Sequence, residues 1–123
     1  MNTRWAKLEE ILLLDVWAEV NRHTHEYSDD AFWDKVVDLF NATTVGDKRS
    51  KNMLRGKWTR INLDCQLFNS IYNTLKRTSG QDDGDCLKNA KTVFERRSFG
   101  RRSFQHVHVW EEIRNHPIWL TYC

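Results

Sequence analysis

Apolar residues recur along this chain at the three-to-four spacing of helices. From about Lys7 to Val20, Leu13, Trp17 and Val20 fall at i, i+4 and i+7, and Ile11, Leu12, Leu14 and Val16 widen the stripe. That pattern predicts a buried amphipathic helix, with Trp5 folded back onto the same core and residues 21–27 as a loop. A second helix opens at Ser28-Asp29-Asp30, a cap followed by acids in the first turn. Its apolar face is Phe32, Trp33, Val36, Val37 and Phe40, and residues 41–48 break it, with Gly46 as the turn.

The third segment starts near Arg49-Ser50, with Ser50 as cap. On a wheel of about 100° per residue centred on Trp58, Leu54, Ile61 and Cys65 lie within about 60° of it and form a core face. Arg49, Asn52, Met53, Gly56 and Arg60 fall opposite, and Arg55, Lys57 and Thr59 flank. A fourth segment continues through Leu67, Phe68, Ile71, Tyr72 and Leu75 and ends by Gly80. Asp85 is the expected cap of a helix through Leu87, Ala90, Val93 and Phe94. Ser103 is the expected cap of a last one over residues 104–115, which Pro117 stops. With no alternating strand pattern, the chain reads as all-α.

Charge changes this picture. The 123 residues carry a formal +2, yet residues 1–46 are net −5, residues 47–60 net +5 and residues 61–123 net +2. The positive charge is concentrated in DKRSKNMLRGKWTR, a helix with Trp58 on its inner side. A basic helix on an acidic small domain is the electrostatic footprint of nucleic-acid binding. No apolar run approaches the roughly 18 residues of a membrane span, and Glu9, Glu10 and Asp15 spoil the N-terminus as a signal peptide, so an intracellular protein is expected. Three widely spaced cysteines, with no CxxC pair, argue against a disulfide framework.

Three helices with regularly placed aromatics and a basic third helix resemble Myb, SANT and trihelix domains. The likeness is closest to the plant Myb/SANT-like family related to PIF/Harbinger transposon accessory proteins. It is carried by RWAKLEEILLLDVW (4–17), DAFWDKVVDLFN (30–41), KRSKNMLRGKWTRIN (48–62), SGQDDGDCLKNAKTVF (79–94) and FQHVHVWEEIRNHPIW (104–119). Ala6-Lys7 replaces the Thr-Pro helix start common in that family, and Gly56 stands where a side chain is usual. The resemblance implies a helix-turn-helix core over residues 1–66, with Trp17, Trp33 and Trp58 buried together, and a helical extension over 67–123. It implies a nuclear, sequence-specific binder of double-stranded DNA, acting in transcription regulation or derived from a transposon. The DNA-binding set would be Lys48, Arg49, Lys51, Asn52, Arg55, Gly56, Lys57 and Arg60.

A helix in the major groove reads base edges with Arg and Asn and holds phosphates with Lys and Arg. Asn52 would then pair with adenine and Arg49 or Arg60 with guanine, while Lys48, Lys51, Arg55 and Lys57 would take phosphates. The alternative for the basic helix is a solvated charged face. For the chain as a whole it is a SANT-type protein-interaction module, binding histone tails or a transposase or chromatin partner through the acidic residues 1–46. The RRSFGRRSF stretch reads as a solvated loop rather than a second phosphate contact. His23, His25, His106, His108 and His116 do not suggest a metal, because HxH on a helix points its rings to different faces. No Ser-His-Asp order, phosphate-binding glycine loop or HExxH appears, so no enzyme, cofactor or small-molecule substrate is expected.

Overall fold

The computed structural model describes residues 4–23, 27–98, 100 and 102–116. Its elements are α1 (Lys7–His23), α2 (Asp29–Thr43), α3 (Lys51–Ser79), α4 (Asp83–Arg97) and α5 (Val107–Ile113). No strand occurs among the described residues, so the fold is all-α. No helix among them is long and apolar enough to cross a membrane.

Local chemistry sets most boundaries. Ser28 Oγ accepts from Ala31 N at 3.2 Å, and Ser50 Oγ from Met53 N at 3.2 Å, satisfying first-turn donors of α2 and α3. α1 lacks a hydroxyl cap, but Glu9 Oε1 reaches back to Ala6 N at 3.1 Å, one half of a capping box. Gly80, at φ 63°, ends α3 in the left-handed region that favours glycine. Two expected caps differ. Asp82, not Asp85, caps α4, accepting from Asp85 N at 2.8 Å. α5 begins only at Val107, and Ser103 instead accepts from Gln105 in the extended stretch before it.

The third and fourth segments are one helix. α3 runs 29 residues, roughly 43 Å, without a break, because Ile61, Cys65, Phe68, Ile71 and Tyr72 keep one apolar stripe in register. The boundary expected after residue 66 lies in mid-helix. The buried side chains form one contiguous cluster along α3. At its N-terminal half Trp17 stacks on Trp58, centroids 4.7 Å apart, beneath buried Trp33. At its C-terminal half Phe68 stacks on Phe104 at 4.1 Å and meets Trp110 edge-on at 4.9 Å. Trp110 donates to Asn69 Oδ1 at 3.1 Å. Phe104, in a stretch expected to be a solvated loop, is thus a core residue. Trp119 lies outside the described residues.

Candidate nucleic-acid interface

Asn41 pins the turn before α3. Its amide donates to Arg49 O and accepts from Arg49 N, both at 2.9 Å. The Arg49 side chain, expected to point outward, runs inward instead and is 3% exposed. It meets Glu9 at 3.0 Å, donates to Arg4 O at 2.9 Å and lies 4.3 Å from the Trp5 ring centroid. The wheel failed here because Arg49 precedes the cap Ser50, so helical angles do not apply to it.

The other basic residues of this stretch divide by burial. Lys57 Nζ lies 2.9 Å from Glu10 Oε2 and 5.6 Å from the Trp5 centroid, against a carboxylate that is only 7% exposed. Lys51 reaches Asp30 and Asp34 at 2.8 and 2.9 Å, and Arg55 pairs with Asp29. Those three aspartates are about two-thirds or more exposed. The acidic N-terminal third and the basic stretch therefore neutralise each other in part. Lys48 and Arg60 are exposed and make no ion pair among the described residues.

Asn52, Met53, Gly56, Thr59 and Arg60 form an exposed stripe on α3, with Lys48 just before it. No atom lies within 4 Å of where a Cβ on Gly56 would stand. Beside Arg60 a groove of about 340 Å³ is lined by Asp64, Arg102, Ser103, Gln105 and His106. Arg102 pairs with Asp64 at 2.7 Å, which brings the second RRSF copy against α3. Gly100, between the copies, has φ 73°, a conformation that side chains disfavour. Nothing in the local sequence signals this groove, since Arg60 and Arg102 meet only through the α4 turn-back.

Across α3, a cleft of about 830 Å³ is lined by Trp17, Tyr27, Phe32, Trp33, Arg55 and Leu63, among others. Glu10 is a buried hub. Its Oε1 faces His106 Nδ1 at 3.2 Å and His108 Nε2 at 2.6 Å. Burial opposes ionisation of Glu10, yet hydrogen bonds from His106, Lys57 and His108 more than offset it and hold the carboxyl down at about 2. No family model matches the chain, and no curated protein or solved structure does either.

Proposed function

We propose that the protein binds double-stranded DNA through the N-terminal half of α3, with α1, α2 and that half of α3 acting as a Myb/SANT-like three-helix core. The observation that carries this reading is the row Asn52, Gly56 and Arg60, exposed at four-residue spacing on a helix whose other side is locked by the Trp17–Trp58 stack, with exposed Lys48 in the turn before it. A rigid helix with amide and guanidinium groups along one open stripe suits the major groove. Lys51 and Arg55 supply phosphate contacts. Their present partners are exposed carboxylates, and such surface pairs contribute about 0–1 kcal/mol, so exchange for phosphate costs little. Arg49 and Lys57 drop out of the contact set, because Arg49 is itself buried, Lys57 is held by buried Glu10, and both fasten the N-terminal segment. Arg102, beside Arg60, drops out on the same ground, since it is held at 2.7 Å by buried Asp64.

In this reading the protein acts in the nucleus as a transcription regulator or a transposon-derived DNA-binding protein, and it has no catalytic role. The test is selection from a random duplex library followed by binding of variants. Asn52→Ala and Arg60→Ala should each cost about 1–3 kcal/mol on the selected site and much less on bulk DNA. Lys51→Ala should weaken all duplexes alike and lower the salt slope by about one. Absence of an enriched motif, with all variants equivalent, would reject sequence reading.

A second reading has its own support. The cleft across α3 carries exposed Tyr27 and Leu63 over Trp17 and Trp33, a surface suited to a protein segment. A histone tail, transposase or chromatin partner would seat there. Leu63→Asp should then abolish partner binding and leave DNA binding intact.

A further inference from the structure

Two histidines that a helical spacing would separate converge in this fold. His106 stands before the first turn of α5 and His108 within it, so the two rings are not placed by one helix. Both reach Glu10 of α1, across 96 and 98 residues of chain. One ligand atom from each of Glu10, His106 and His108 lies within 4.8 Å of the other two.

We infer that Glu10, His106 and His108 form a binding site for a divalent transition metal, with Zn²⁺ the best match. Two imidazole nitrogens and one carboxylate oxygen are a donor set that Zn²⁺ takes at about 2.0–2.2 Å. Tetrahedral bonds of that length separate ligand atoms by roughly 3.3 Å. The Glu10–His106 separation of 3.2 Å already fits, and the 2.6 Å contact from His108 opens by less than about 1 Å. Lys57 holds Glu10 Oε2 at 2.9 Å, which leaves Oε1 as a single donor and fixes the carboxylate plane. Partners of this kind orient metal ligands. His108 is 16% exposed at its side chain, so the site has an edge open to solvent for entry and for a fourth, water ligand.

The proton balance is simple. Glu10 is ionised, so both ring nitrogens facing it donate N–H bonds in the metal-free chain. Coordination needs their lone pairs. A neutral ring moves its proton to its other nitrogen, and a protonated ring releases one proton on binding. The metal then ties α5 to α1 and stabilises the folded chain by linkage.

The test is titration of the full metal-free chain with Zn²⁺ by calorimetry, and with Co²⁺ by visible absorption. The expected result is about one ion per chain, d–d bands of a nitrogen and oxygen ligand set, and a raised melting temperature. His108→Ala, at the half-open edge, should weaken binding by more than about 100-fold, beyond the range for losing an outer partner. Glu10→Gln should do the same, and exposed His23→Ala should change nothing. Circular dichroism of each variant separates loss of the site from loss of fold. If both ligand variants unfold, cobalt spectra of wild type still decide, through imidazole and carboxylate bands. Thiolate charge-transfer absorption, an unchanged affinity in folded His108→Ala, or no binding by the wild-type chain would each overturn the inference.

Discussion

The guanidinium of Arg49 lies 3.0 Å from the carboxylate of Glu9, 40 residues earlier, and both are shielded from solvent. This pair fastens the N-terminal segment to the turn before α3, with Trp5 packed over it. Removing one partner leaves the other charge uncompensated. Arg49→Ala should lower stability by about 3 kcal/mol in urea melts. Any loss of DNA affinity should follow the unfolded fraction. Lost affinity with an unchanged melt would return Arg49 to the contact set.

Trp58 is 4% exposed and stacked on Trp17. Trp58→Ala removes a large side chain behind the outer stripe and should cost about 3–5 kcal/mol. Circular dichroism should show binding lost together with helicity. Binding lost at full helicity would make Trp58 a contact residue.

The aspartates beside Lys51 restrain its charge. Replacing Asp30 and Asp34 together by Asn should leave stability within about 1 kcal/mol, since both carboxylates are exposed. DNA affinity at low salt, measured by fluorescence anisotropy, should rise several-fold. A fall would mean that the aspartates aim Lys51 rather than compete for it.

Gly56 has open space where a side chain would stand. Gly56→Ala should therefore stabilise the free protein by about 0.5–1 kcal/mol. If the outer stripe of α3 meets the groove floor, the same change should weaken DNA binding. A stabilised variant with unaltered affinity would place the contact elsewhere on the helix.

Glu10 links stability to acid. Its carboxyl is held at about 2 in the folded chain, against 4.5 ordinarily. The stabilisation is complete above about pH 4.5 and is lost as pH falls through about 2. In the presence of a chelator, Glu10→Gln should cost about 3 kcal/mol at neutral pH, with the gap to wild type closing over that acid window. A constant gap down to pH 2 would contradict the pairing.

Much of this protein was legible in the chain itself. The periodicity around Trp17, Trp33 and Trp58 marked three buried faces, Ser28 and Ser50 marked two helix starts, and Gly80 marked an end. These signals are local: a helix buries what recurs every three to four residues, and a cap bonds a donor three residues on. The uninterrupted length of α3 was in the same pattern, though the likeness to three-helix domains suggested a boundary after residue 66. The tertiary structure alone decided which charges remain exposed. The +5 stretch looked uniformly available, but Arg49 and Lys57 are drawn inward by Glu9 and Glu10, and Lys51 and Arg55 lean on α2. It also decided that His106 and His108 share one carboxylate. Pairings across 40 or 98 residues depend on how helices pack in space, and no local period encodes them.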